Sequence, residues 1–330
     1  MGKQIKIGII GTGKIAAQMA EAIKLVPDAT PYAIGSRRIE SANNFAQKHH
    51  FNKAYGSYES MLCDEQIDLV YVATPHNLHF ENTMLALDHG KHVLCEKPFG
   101  VNSNEVEQMI ASAKEKKLFL MEAMWSRFMP HIQQIKALIN QGEIGPIKLL
   151  RSDFNMYPPF NAESRLFNKS LIGGSLMDIG IYPVFLALYI LGQPKRIQAM
   201  AGIGAAGVDY QVAMSFEYDN EIMAMLSSSM VSRGGINASI EGEKGSIILE
   251  NPWHIPSNFT VKYGDGSTKK FEYKHTGNGY HYELQEVINC LNAGKVQSDK
   301  MSWGDSLELI EVLDEIRKKA GIFYPEHDNK

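Results

Sequence analysis

The chain has 330 residues, of which 44% are hydrophobic and 21% charged, and carries a formal net charge of −4. That length is enough for two domains with their own cores, and lysines and arginines dispersed along a slightly acidic chain argue against a nucleic-acid or membrane surface as the main partner. Three cysteines without paired spacing, Cys63, Cys95 and Cys290, and a start that runs from Met-Gly-Lys directly into a strand lead us to expect a cytoplasmic protein without a disulfide framework.

Ile5–Ile10 reads as an apolar strand running straight into Gly11-Thr12-Gly13-Lys14-Ile15-Ala16, the turn and helix start that hold a dinucleotide pyrophosphate. Gly11 permits the tight turn and Gly13 lets the backbone approach the anion. A helix from Lys14 to Leu25 aims its free N–H groups at that anion, and Ala16 stands where the fingerprint accepts alanine in place of a third glycine. Residues Gly11, Thr12, Gly13, Lys14 and Ile15 are therefore expected at the cofactor. The next strand, Thr30–Ile34, is followed by Ser36-Arg37-Arg38 with no acid until Glu40. An NAD site places an acid about 20 residues beyond the glycines, whereas a hydroxyl and two guanidinium groups suit the extra phosphate of NADP; NADP is expected ahead of NAD.

A helix over Ser41–His49, a short strand at Lys53–Tyr55, a helix start at Ser57–Ser60 and a strand at Leu69–Ala73 continue the alternation. Thr74-Pro75-His76-Asn77-Leu78-His79 then forms a lip at the end of the fourth strand. No carboxylate or cysteine nearby completes a ligand set with His76 and His79, so Thr74, Pro75, Asn77 and His79 are assigned to cofactor contacts and no metal is expected. A helix over His79–His89, a strand at His92–Cys95, a helix over Ser103–Lys116 and a strand at Phe119–Met121 complete six strands of a doubly wound parallel α/β sheet. Glu96-Lys97-Pro98 closes the fifth strand at the edge where open sheets bind ligands, which puts Lys97 beside the nicotinamide ribose with Glu96 to fix its ammonium.

The texture changes near Glu122. Residues 1–124 are read as an NAD(P)-binding domain and residues 125–330 as an α+β substrate-binding and dimerisation domain. Its predicted strands are Ile147–Asn155, Arg196–Gly202, Val208–Tyr218, Glu221–Ser229, Ile236–Gly242, Gly245–Glu250 and Asn258–Tyr263, separated by turn residues, which makes a large, open, mostly antiparallel sheet. Helices at Met129–Gln141, Ser175–Leu191, Tyr282–Ala293 and Trp303–Lys319 cover one face. The apolar run Val184–Leu191 is far short of the ~20 residues of a spanning helix and reads as a buried one. Alternation in Val212–Phe216 and Ile222–Leu226 leaves an apolar outer sheet face, so a homodimer, or two dimers paired as a tetramer, is expected.

The glycine loop, Thr74-Pro75-His76-Asn77, Glu96-Lys97-Pro98 and the two-domain texture together resemble the glucose–fructose oxidoreductase, inositol dehydrogenase and MocA (Gfo/Idh/MocA) family, over essentially the whole chain. Within it, Glu122–Phe128, Arg165-Leu-Phe167 and Gly173–Pro183 are similar to the dimeric dihydrodiol dehydrogenases and NADP-linked D-xylose dehydrogenases. The resemblance implies that Lys97 contacts the nicotinamide ribose and the substrate hydroxyl, that Asp178 and Tyr182 face the substrate, and that Trp125, Arg127 and Phe154 belong to its pocket. Many members have histidine where this chain has Tyr182. A phenol with an ordinary pKa of about 10 needs an ammonium beside it to act as a base, so Lys97 and Tyr182 are read as one proton relay while Asp178 holds a second hydroxyl. The expected reaction moves hydride between NADP and a hydroxyl-bearing carbon of a polyol, sugar or dihydrodiol. A nicotinamide-assisted glycosidase and a non-catalytic NADP-sensing regulator are the alternative readings. Trp253 reads equally well as core or pocket, and Tyr280 is a weak pocket candidate.

Overall fold

Ile5, Ile7, Ile9 and Ile10 are all buried, the mark of a parallel strand covered on both faces. This strand, β1 (Ile5–Ile10), is the centre of the first sheet. The structure is a computed structural model describing residues 4–328, and among them the chain forms two sheets. Around β1 stand β2 (Ala29–Gly35), β3 (Lys53–Tyr55), β4 (Leu69–Val72), β5 (His92–Glu96) and β6 (Leu120–Ala123), in the order β3-β2-β1-β4-β5-β6 and all parallel. Helices α1 (Lys14–Ile23), α2 (Ile39–His49), α3 (Tyr58–Leu62), α4 (His79–Asp88) and α5 (Ser103–Lys116) make the crossovers. Strand order reverses between β1 and β4, and that switch point is where an open sheet of this kind receives a ligand.

The second sheet is built from β7 (Ile147–Asn155), β8 (Arg196–Ile203), β9 (Asp209–Glu217), β10 (Met223–Ser229), β11 (Ala238–Gly242), β12 (Gly245–Leu249), β13 (Phe259–Tyr263) and β14 (Thr268–Phe271). Their order is β14-β13-β12-β11-β7-β10-β9-β8, antiparallel except for the central β7–β10 pair, which is parallel. Helix α6 (Pro130–Asn140) precedes this sheet. The predicted single helix over Ser175–Leu191 is instead a π-helical turn, Leu176–Gly180, running into α7 (Ile181–Leu191). The apolar window within Lys169–Leu191 is 89% buried, as expected of a core helix. Strand β14 was not predicted, because the Thr-Lys-Lys-Phe edge has the charge that natural edge strands carry and little apolar alternation.

Three further helices follow: α8 (Tyr280–Asn292), α9 (Trp303–Ala320) and the short α10 (Pro325–Asp328). The chain up to Phe128 together with Thr276–Leu307 forms one compact unit, and Met129–His275 together with the chain from Glu308 forms the other. The sequence reading divides the chain once, at 124/125; the structure instead returns residues 276–307 to the first unit. The reason lies in specific contacts: Asn278 Nδ2 donates to the Gln18 carbonyl at 2.8 Å, the Leu120 amide donates to the Val296 carbonyl at 3.1 Å, and the Trp303 indole donates to the Leu120 carbonyl at 2.9 Å.

Candidate active site

In the first unit the loop after β1 is dictated by sterics. Gly11 has φ of +106°, and a Cβ there would lie 2.7 Å from the Ala73 carbonyl oxygen. A Cβ on Gly13 would meet no protein atom within 4 Å, so the backbone is open to a ligand at the position where the fingerprint requires close approach. Helix α1 begins at Lys14 with neither a capping side chain nor an acid in its first turn, leaving its N-terminal N–H groups and dipole to an anion. These features surround a cavity of about 510 Å³ that reaches from Gly11, Thr12 and Gly13 to Ser36, Arg37 and Arg38 on one side and to Ala73, Thr74 and Pro75 on the other. The arrangement fits an NADP pyrophosphate at the glycines and its ribose phosphate at Ser36 and the arginines. Ser41 and Tyr58 also line this cavity. Both were missed by sequence reading, although each lies at the helix side of a β-α turn on the ligand-binding edge. Burial raises the Tyr58 hydroxyl above its ordinary pKa, while the Arg37 charge pulls the other way.

Lys14, Ile15, Asn77, His79, Glu96 and Lys97 lie outside this lining. His79 needs a correction: it has no exposed surface, its Nδ1 stands 2.7 Å from the Pro98 carbonyl and its Nε2 2.9 Å from the Thr74 carbonyl. It therefore ties the lip after β4 to the turn after β5 rather than offering a nitrogen to a cofactor, and burial holds its pKa below the ordinary histidine value. Asn77 carries a buried carboxamide oxygen without a partner among the described residues.

Lys97 sits on a turn held from several sides. The Glu96 carboxylate accepts from the Tyr71 hydroxyl and, at 3.2 Å, from the Lys97 amide. Glu122 on β6 accepts from the Phe99 amide at 3.1 Å. Asn102 caps α5 by accepting from the Glu105 amide, while Glu105 accepts from the Val101 amide, a reciprocal cap just beyond the turn. Among the described residues the acids Glu96, Glu105, Glu122 and, from α8, Glu283 are buried here. Burial pushes Glu122 up to about 7, and burial together with the Glu96 charge holds Glu283 well above the ordinary carboxylate range. Trp125 is 7% exposed and stacks on Tyr280 of α8 with centroids 4.3 Å apart. Arg127 pairs with Asp305 at 2.9 Å.

The second unit carries the other predicted residues, and it brings Phe154, Asp178 and Tyr182 into one neighbourhood. Phe154 and Tyr182 stack with centroids 5.5 Å apart, and His254 packs on both, at 4.6 Å from Phe154 and 5.0 Å from Tyr182. His254 was not singled out from the sequence, where it sits in an irregular Asn-Pro-Trp-His-Ile-Pro segment with no periodic signal. Asp178, on the π-helical turn, accepts from Arg165 Nη1 at 2.6 Å. Trp253 is fully buried and its carbonyl accepts from His131 Nε2 at 2.9 Å, which makes it core.

Comparison with known proteins agrees with these features. A family model described as an oxidoreductase family with an NAD-binding Rossmann fold matches residues 5–124, and the GFO/IDH/MocA C-terminal domain matches residues 132–248. A trans-1,2-dihydrobenzene-1,2-diol dehydrogenase of Xenopus tropicalis is 36% identical, covering 97% of this chain and 99% of that protein. A scyllo-inositol 2-dehydrogenase (NADP(+)) of Bacillus subtilis (strain 168) is 33% identical, over 97% of this chain and 98% of that protein. Among solved structures, a 3-ketoreductase from Actinomadura kijaniata in complex with NADP and TDP-benzene superposes with a TM-score of 0.88 at 25% identity, covering 96% of this chain and 98% of that one.

Proposed function

The chain belongs to the Gfo/Idh/MocA oxidoreductase family, and from that premise we propose that it is an NADP-dependent dehydrogenase of polyols, sugars or cyclic diols. The observation that carries the cofactor half is the cavity running from the glycine loop to Ser36, Arg37 and Arg38, with no carboxylate in its lining. The relatives named for dihydrodiol and inositol substrates support the substrate half, and both are dehydrogenases, which gives the glycosidase and regulator readings no support.

When bound, the nicotinamide supplies the hydride acceptor or donor. In the oxidation direction one C–H of the substrate is lost as hydride and the adjacent hydroxyl loses its proton, giving a carbonyl, NADPH and one proton. We assign that proton to Tyr182, with the Lys97 ammonium stabilising the phenolate it needs, and we assign Asp178, oriented by Arg165, to a second substrate hydroxyl. Trp125 and Phe154 supply aromatic surface suited to a sugar or diol ring. The test is NADPH formation by the purified protein with trans-dihydrodiols, inositols and aldopyranoses, NAD being run in parallel. Turnover faster with NADP in at least one class is expected; tight NADPH binding without turnover across all three would overturn the reading.

The finer proposals on assembly and location rest on two further observations. Met200, Met223 and Met225 are 73%, 45% and 54% exposed on β8 and β10, the two strands on either side of β9, which supports a second copy of the chain as the cover of that sheet face. All three cysteines are free thiols, which supports a cytoplasmic setting.

A further inference from the structure

The π-helical turn that carries Asp178 starts from a loop with almost no room to move. A Cβ on Gly173 would fall 2.8 to 3.0 Å from the carbonyl oxygens of Leu166, Asn168 and Arg165, and a Cβ on Gly174, at φ +126°, would fall 2.1 Å from Asp209 Oδ1. Asp209, at the start of β9, is fully buried. Its Oδ2 accepts from the Leu176 amide at 2.7 Å and from the Ser175 hydroxyl at 3.0 Å, and Ser175 Oγ also lies 3.0 Å from Ser228 Oγ. Leu176 is the first residue of the π turn, so this carboxylate holds the amide from which the turn departs.

A second hold comes from the end of the chain. The Tyr324 hydroxyl, on a side chain 2% exposed, donates to the Gly173 carbonyl at 3.0 Å. Tyr324 is itself anchored: its amide donates to Asp328 Oδ2 at 2.7 Å, Arg317 Nη1 donates to both oxygens of Asp328 at 2.9 Å, and the Arg317 guanidinium stands 5.3 Å from the Tyr324 ring centroid. A buried carboxylate is costly to keep, and an apolar residue would fill the same volume more cheaply. What Asp209 adds is direction, since two donors of the loop must point at one oxygen. π-Helical turns of this kind recur at functional sites, where they aim a side chain that regular helix would turn away.

We propose that Asp209 and Tyr324 are positioning residues for Asp178 and Tyr182, gripping the Gly173-Gly174-Ser175 loop from the sheet side and from the C-terminal segment. The proposal rests on the reading of Asp178 and Tyr182 as substrate-facing groups. Its test compares full-length Asp209→Ala, Asp209→Asn and Tyr324→Phe with the parent chain in three measurements: amide hydrogen exchange over residues 176–182, NADPH affinity by fluorescence titration, and kcat and KM on the best substrate of the panel above. Asp209→Ala and Tyr324→Phe are expected to speed exchange in that segment by about tenfold, the scale of one buried hydrogen bond, and to lower kcat/KM comparably while NADPH affinity stays unchanged. Asp209→Asn keeps an acceptor oxygen and is expected to restore most of both. Exchange at 176–182 unchanged in both Asp209→Ala and Tyr324→Phe overturns the proposal, and so does an Asp209→Asn protein as impaired as Asp209→Ala. Asp178→Ala and Tyr182→Phe are assayed alongside: normal turnover in those two sinks the reading of the site, while the exchange data still decide the grip on the loop.

Discussion

Arg127 Nη2 lies 2.9 Å from Asp305 Oδ1, with the two side chains 14% and 29% exposed. Asp305 in turn accepts from the Ser302 amide at 2.8 Å, so the pair ties the turn after β6 to the start of α9 within the first unit. Arg127→Ala is expected to destabilise the protein by about 1–3 kcal/mol, the penalty for a charged partner left unpaired in a partly buried place, with substrate KM little changed. Thermal unfolding and steady-state kinetics on one preparation check this. A raised KM without loss of stability would give Arg127 to the substrate pocket.

Arg37 and Arg38 stand at the mouth of the cofactor cavity, both exposed and beside the buried Ser36. Arg37→Ala is expected to weaken NADP binding by about tenfold to a hundredfold, the range of one charge-assisted hydrogen bond, and to leave NAD binding nearly unchanged. Paired titrations decide it, and equal losses for the two cofactors would refute the NADP assignment.

Lys97 and Tyr182 are expected to affect turnover far more than binding. Lys97→Met should lower kcat by about a hundredfold or more, the scale of a general acid–base contribution, with NADPH affinity held within a few-fold. Tyr182→Phe should lose turnover most in the oxidation direction at neutral pH, where a base is needed. A Tyr182→Phe enzyme with the parent pH–rate profile would remove the phenol from proton transfer.

Glu122 makes stability depend on pH. Its folded pKa, raised by burial to about 7, exceeds its unfolded value, so the folded state holds the proton more tightly. Its contribution is fully present below the unfolded pKa of about 4.3 and is lost as pH rises through about 7, by on the order of 4 kcal/mol at most. Glu122→Gln keeps an oxygen for the Phe99 amide and is expected to melt at a higher temperature than the parent at pH 8, the difference vanishing toward pH 5. Melting curves across that range check it, and parallel pH dependences would contradict it.

Met225 stands on the exposed face of β10, opposite Ser215 of β9 and Arg151 of β7. A lysine there would place an ammonium in the face proposed to meet a second copy, and Met225→Lys is expected to turn a dimer into a monomer in light scattering without lowering the monomer's helix and strand content. A parent chain that is already monomeric at micromolar concentration would dismiss the interface.

Local pattern was enough for the parallel sheet and the glycine loop that follows β1. The spacing of Gly11 and Gly13 after a run of buried isoleucines follows from backbone sterics and strand burial, which act over a few residues, and the same holds for the alternation of β1 to β6 with their helices. The motif resemblance pointed to Asp178, Tyr182 and Phe154, which the second unit places near one another. Other features were decided by packing between distant elements. Tyr58 reaches the cavity because β3 pairs with β2, and His254 meets Tyr182 because β7, α7 and an irregular segment converge. His79 sits between two carbonyls that its own helix does not supply. Tyr324 grips Gly173 from 151 residues away, and Arg127 finds its acid across 178. Hydrophobic period tells a segment which face to bury but not which segment will cover it; pairing of that range is set by side-chain shape and hydrogen-bond satisfaction in the assembled fold, where a buried donor or acceptor must find whatever partner the packing brings.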